Sequence, residues 1–322
     1  MIGGGAPQQN LEKAIMKCLV ALAGAMALGL SACSAGSQVS GMPGSPSPTD
    51  ASAPVSVVAS MNVYGDIAKT VGGSAVTVTS IIDNPDRDPH EYQADAQTKL
   101  ALSKAQVVIE NGGGYDDFVD VMLESASSRP TVINVVDLSG RNRNPAGAEF
   151  NEHIWYDIAT VKRLTTQLAT DLSAAAPDQA ATIKANAAAL NSRLSKLQRQ
   201  EAAIKAQHAG DPVAITEPVP MYLLQAAGLI NKTPDEFSEA IEEDTDAPPA
   251  ILKQTEDLFD EHQVKLLAYN EQTTGPQTEA VLAASRRNSI PIVPLTETLP
   301  GGQTYVSWMQ ANLDAISAAL SQ

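Results

Sequence analysis

Residues 177–207 run for about thirty positions without an internal proline or glycine, and they are rich in Ala, Leu, Lys and Gln. Ala180, Ile183, Ala187, Leu190, Leu194, Leu197 and Ile204 fall on one stripe with 3–4 spacing, interrupted only at Glu201. That spacing predicts one amphipathic helix, roughly 45 Å long at 1.5 Å per residue. Pro177 suits a first helical turn, and Gly210 stands just past the end as a stop. A helix of this length must span two bodies, and a single stiff helix between them limits hinge motion.

The flanking segments repeat one rhythm. Strand-like runs at 55–60, 75–82, 106–110 and 131–138 alternate with helical patterns at 63–71, 96–104 and 115–125. After the long helix, strands are expected at 213–216, 264–269 and 290–295, and helices at 221–227, 248–262, 277–288 and 305–320. Continuous Val/Ile runs separated by helices imply parallel sheets covered on both faces. The expected fold is α/β: an N-terminal lobe over 55–176, a connecting helix over 177–207 and a C-terminal lobe over 208–322.

The first 54 residues read differently. Lys13 and Lys17 precede an apolar run over 19–30, which ends in Leu30-Ser31-Ala32-Cys33. This is a signal-peptide pattern, too short for a membrane span of roughly 20 residues. Met16 is a plausible true start. The terminal cysteine resembles a bacterial lipoprotein signal, with residues 1–32 removed and Cys33 lipidated. Residues 33–54 are Ser, Gly, Pro and small residues, a composition that reads as a flexible tether. Cys18 leaves with the signal, so the mature protein is expected to hold no free thiol and no disulfide.

Charge narrows the partners. The chain carries 21 Lys+Arg against 37 Asp+Glu, net −16; removing residues 1–32 takes two lysines and one glutamate and leaves −17. Such a balance argues against nucleic acid and anionic lipid, and suits an exported protein or cation capture.

Only four histidines are present. Two stand in similar polar motifs after strand-like runs: Asp88-Pro89-His90-Glu91-Tyr92 and Asn151-Glu152-His153-Ile154-Trp155-Tyr156-Asp157. Neutral imidazole is a frequent ligand of borderline divalent metals. Ligands of open α/β sheets gather beyond the carboxyl ends of strands. In the second lobe Glu217 and Glu297 each follow a strand run and a threonine. Glu271 competes for the fourth place, and Glu110 does so more weakly. His208 and His262 lie near predicted helix ends, where a histidine favours the dipole. Trp155 and Trp308 read as packing residues around the site.

On these phrases, together with Thr216-Glu217-Pro218, Tyr269-Asn270-Glu271-Gln272-Thr273, Tyr305-Val306-Ser307-Trp308-Met309 and Glu236-Phe237 with Glu242-Glu243, the chain resembles the substrate-binding lipoproteins of zinc- and manganese-importing ABC transporters. The resemblance covers about residues 55–320. It implies a cleft site of His90, His153, Glu217 and Glu297, with Glu297 standing where the family usually carries Asp. It also implies a permease and its ATPase as partners, attachment to the membrane by the lipid alone, and a monomer. The His-rich loop of many zinc importers is absent from 139–149. That absence and the two carboxylates favour Mn²⁺ over Zn²⁺, although the same site binds Zn²⁺ tightly.

Other classes fit less well. A catalytic zinc site keeps an open position beside three protein ligands, and there is no His-Glu-x-x-His or Gly-x-Ser-x-Gly. An organic solute such as a siderophore calls for an aromatic cleft, yet aromatic residues are 4%. A surface adhesin leaves no signature in the residues.

Overall fold

The computed structural model describes residues 53–84, 92–143 and 150–322. The first lobe runs β1 (Val55–Met61), α1 (Asn62–Gly72), β2 (Val76–Ile82), α2 (Ala96–Lys104), β3 (Val107–Glu110), α3 (Phe118–Glu124), β4 (Thr131–Asn134) and α4 (Val135–Ser139). Helix α5 (Ile158–Ala175) leads through a short 3₁₀ turn (Pro177–Gln179) into α6 (Ala180–His208). The second lobe runs β5 (Pro212–Ile215), α7 (Met221–Ala226), β6 (Ile230–Asn231), α8 (Asp235–Glu242), α9 (Pro249–Asp260), β7 (Leu267–Asn270), α10 (Pro276–Arg287), β8 (Ile292–Leu295) and α11 (Tyr305–Leu320).

The two sheets share one topology. Their strand orders are β2-β1-β3-β4 and β6-β5-β7-β8, and every pairing is parallel. Each sheet therefore reverses its winding at its centre, between β1 and β3 and between β5 and β7. Crevices open there at the carboxyl edge. Pro294 is tolerated because β8 is an edge strand, where a missing ladder N–H costs little.

The long helix buries Ile183, Ala187, Leu190, Leu194, Leu197, Glu201 and Ile204. This is the expected stripe, with Glu201 inside it rather than breaking it. Helices α1, α5 and α11 pack against α6. One apolar core runs continuously from Val55 and Ile67 through Leu190 and Leu197 to Val293 and Leu313, so the lobes share a core as well as a helix.

Local chemistry moves several boundaries. The run over 131–138 is strand only to Asn134, whose side-chain oxygen accepts the Asp137 N–H at 3.0 Å and starts α4. An Asn cap outweighs the β-branched Val135 and Val136. The helix expected from Tyr115 begins at Phe118, because Gly112, Gly113 and Gly114 take positive φ and Asp116 accepts the Asn111 and Gly112 N–H groups at 2.6 and 2.8 Å. Gly112 has no room for a side chain: at φ +75° a Cβ would fall 2.3 Å from Asn134. Helix α5, the two-residue β6 and α8 were not anticipated from the pattern. Among the described residues no helix is long and apolar enough to cross a membrane.

Candidate metal centre

The site gathers where the second sheet's carboxyl edge meets the loop before α5. Glu217 lies two residues beyond β5 and Glu297 two beyond β8, so both side chains emerge at the same edge. His153 caps a 3₁₀ turn (Ile154–Tyr156) and is fully buried, as is Glu297, while Glu217 is 2% exposed. His153 Nε2 lies 3.7 Å from Glu297 Oε2.

The loop carrying His153 is held from both lobes. Asn111, just past β3, donates to the Glu152 carbonyl at 2.9 Å. Tyr222 donates to the Asn151 carbonyl at 2.6 Å, and Tyr156 to the Thr296 carbonyl at 2.7 Å. The ring of Trp155 packs edge-on to His153 at 5.0 Å between centroids, and Tyr115 packs on Trp155 at the same distance. Trp308 packs edge-on to Tyr156. Trp155 thus walls the site, and Trp308 packs behind Tyr156.

The glutamates are held from the β7 end. Asn270 Nδ2 donates to Glu297 Oε1 at 2.8 Å, and Gln272 Oε1 accepts the Glu297 N–H at 2.6 Å. Tyr115 donates to Glu297 Oε2 at 3.4 Å. Glu271 is exposed, and its backbone N–H merely extends the ladder to Leu295. Its strand-end position fits the pattern that selected Glu297, but its side chain turns to solvent. Glu110 is buried and accepts from Asn134 at 2.8 Å, within the first lobe.

Sequence reasoning missed one neighbour. Glu242, the last residue of α8, brings Oε1 to 3.2 Å from His153 Nε2. The rule that found Glu217 and Glu297, an acid just after a strand, passes over a carboxylate at a helix end. His90 and Cys33 lie outside the described residues. His208 pairs with Asp211 at 2.9 Å at the end of α6, and His262 follows α9 with positive φ.

The electrostatics are those of a cation site. Burial pulls the His153 imidazolium down, but the charge of Glu242, the Glu297 hydrogen bond and Glu297's charge carry its pKa up to about 9. Burial pushes Glu217 well above the usual carboxylate range; the Glu297 and Glu242 charges push it further, against hydrogen bonds from Thr273 and Asn270. Acids gathered around one buried imidazole repel one another and favour a positive partner between them. Among the described residues no three His, Cys, Asp or Glu side chains form a ready-made ligand set.

A two-lobed α/β body with a histidine and acids in its crevice is the architecture of a cargo-binding protein. The family ZnuA, zinc-uptake complex component A, periplasmic, matches residues 57–319, and the chain belongs to it. It is thus a metal-binding, substrate-binding protein of ABC transport and not an enzyme. It is 25% identical over 324 residues to the metal ABC transporter substrate-binding lipoprotein FimA of Streptococcus parasanguinis, covering 94% of this chain and 98% of that one. It is 25% identical over 316 residues to the manganese ABC transporter substrate-binding lipoprotein ScaA of Streptococcus gordonii, covering 92% and 96%. The fold matches the periplasmic zinc binding protein TroA of Treponema pallidum with a TM-score of 0.69 at 19% identity, over 84% of this chain and 100% of that one.

Proposed function

We propose that this protein is an extracytoplasmic, lipid-anchored receptor that captures one divalent transition metal ion, Mn²⁺ in preference to Zn²⁺, and hands it to an ABC permease driven by a cytoplasmic ATPase. The ligands in this reading are His90, His153, Glu217 and Glu297. The anchor is the lipid on Cys33, residues 33–54 form the tether, and the body works as a monomer.

One observation carries the reading. His153 is buried with Nε2 toward acids from the other lobe, while its Nδ1 is taken by Asn151 at 2.8 Å. A metal-ligating histidine is normally oriented in this way, one nitrogen donating to an oxygen and the other left for the ion.

The streptococcal relatives are named as lipoproteins, and one as a manganese transporter, which supports the same cargo class and anchoring here. Carboxylate oxygens suit Mn²⁺, and imidazole suits the later metals. Elemental analysis of protein purified without added metal, followed by Mn²⁺/Zn²⁺ competition, tests the reading. One ion per chain, lost in His153→Ala, is expected. Metal-free protein that takes up neither ion would sink it.

A further inference from the structure

We infer that Glu242 is a further metal ligand, delivered by α8, which makes the site oxygen-rich and shifts its selectivity toward a cation that accepts more than four donors. This inference rests on the metal-capture reading and adds a residue to it.

The first ground is distance. Donors bound at about 2.1 Å to one ion, in a tetrahedral or octahedral array, lie roughly 3.0–3.4 Å from one another. Glu242 Oε1 stands 3.2 Å from His153 Nε2, nearer than Glu297 Oε2 at 3.7 Å. That spacing lets an ion that meets His153 at Nε2 take Glu242 Oε1 into the same shell.

The second ground is cost. Glu242 ends α8, where the helix dipole is negative and a carboxylate is unfavourable. It also stands beside two buried glutamates, Glu217 and Glu297. A third acid beside two buried glutamates is unfavourable unless a positive partner stands with it.

The third ground is support. Phe237 and Ile241, four apart on α8, are buried in the second lobe's own core with Ala214 and Tyr269. Thr233, two residues before the helix, exchanges hydrogen bonds with the N–H and carbonyl of Ile215 at 2.9 and 3.1 Å. The helix is thereby fixed to the strand that leads to Glu217. Glu242 also lines an interlobe cavity of about 690 Å³, with Glu152, Asp235, Glu239, Glu243 and Asp244 and no lysine or arginine. A cation entering that cavity meets Glu242.

A third carboxylate beside His153, Glu217 and Glu297 makes the shell richer in oxygen than Zn²⁺ prefers and closer to the oxygen-rich shell that suits Mn²⁺. The alternative is an ion pair in which Glu242 merely neutralises protonated His153.

The test uses the full chain, stripped of metal, as wild type, Glu242→Gln and His153→Ala. Mn²⁺ and Zn²⁺ affinities are measured by competition with a chromophoric chelator, and the Co²⁺-loaded protein is read by visible absorption. Glu242→Gln is expected to weaken Mn²⁺ at least tenfold and Zn²⁺ less. The weak Co²⁺ bands of a five- or six-coordinate ion should intensify toward the four-coordinate pattern. Wild-type affinities and an unchanged Co²⁺ spectrum in Glu242→Gln, with metal lost in His153→Ala, overturn the role of Glu242 and leave metal capture standing. If wild type binds neither metal, both readings fall together. Should Glu242→Gln fail to fold, Glu242→Asp supplies the comparison: the shortened carboxylate should weaken Mn²⁺, and unaltered Mn²⁺ binding and Co²⁺ spectrum overturn the inference.

Discussion

Asn151 Oδ1 accepts two hydrogen bonds from His153, one from its backbone N–H at 2.9 Å and one from Nδ1 at 2.8 Å. The Asn151 amide nitrogen donates to the Pro218 carbonyl at 2.8 Å, beside Glu217. Those partners define the amide's orientation, because a carbonyl can only accept. In the neutral imidazole they place the proton on Nδ1 and turn Nε2 toward the acids.

Asn151→Ala should therefore lower metal affinity by about 10–100-fold, the usual effect of losing a partner behind a ligating histidine. The tautomer and ring angle are freed while Nε2 remains. Chelator competition measures this, and affinity equal to wild type would refute the positioning role.

His153→Ala and His90→Ala should each abolish stoichiometric metal binding and leave the circular dichroism spectrum of the α/β body in place. One tightly bound ion per chain retained by both variants would remove these histidines from the site.

Metal should stabilise the protein. Binding to the native state alone contributes about 4 kcal/mol at a thousandfold excess over Kd. Domains of about 150–250 residues gain roughly 2–4 °C per kcal/mol. Thermal melts of loaded protein with and without chelator should differ accordingly. A melting temperature indifferent to chelator, in protein shown beforehand to hold metal, counts against a site joining the lobes.

Glu201 should make stability pH-dependent. Burial, with the Asp157 charge adding to it, raises its pKa to about 7 from 4.5, and its Oε1 has no hydrogen-bond partner among the described residues. Below pH 4.5 both folded and unfolded chains hold the proton. Between 4.5 and 7 the unfolded chain releases it while the folded chain keeps it, so stability falls as pH rises; above 7 the loss is complete. Glu201→Gln should remove up to about 3 kcal/mol of that loss. Urea titrations of metal-free wild type and variant at pH 5 and pH 8 isolate the difference. Identical pH dependence in the two proteins would disprove it.

Cys33→Ala should move the protein from the membrane fraction to the soluble one. Full retention of the variant would rule out a lipid on Cys33 as the sole anchor.

The fold was legible wherever a periodic pattern coincided with burial. The stripe from Ile183 to Ile204 is set by a 3.6-residue repeat that no tertiary contact needs to rescue, and the Val/Ile runs of β1 and β3 are buried in central strands of a covered sheet. The pattern failed where a single side chain overrode propensity, as Asn134 does at the start of α4, or where a strand is two residues long, as β6 is.

Within the site, residue type and strand-end position were enough to bring His153, Glu217 and Glu297 together as candidates. They could not separate Glu297 from Glu271, because both follow strands; only packing against Asn270, Gln272 and Tyr115 buries one and leaves the other in solvent. Nor could they find Glu242, whose approach to His153 across the cleft depends on how α8 is anchored to β5 within its own lobe. The sequence alone determined local periodicity and the chemical types at the strand ends. Tertiary structure decided which of those groups share a desolvated volume, since distance and dielectric belong to the packed chain.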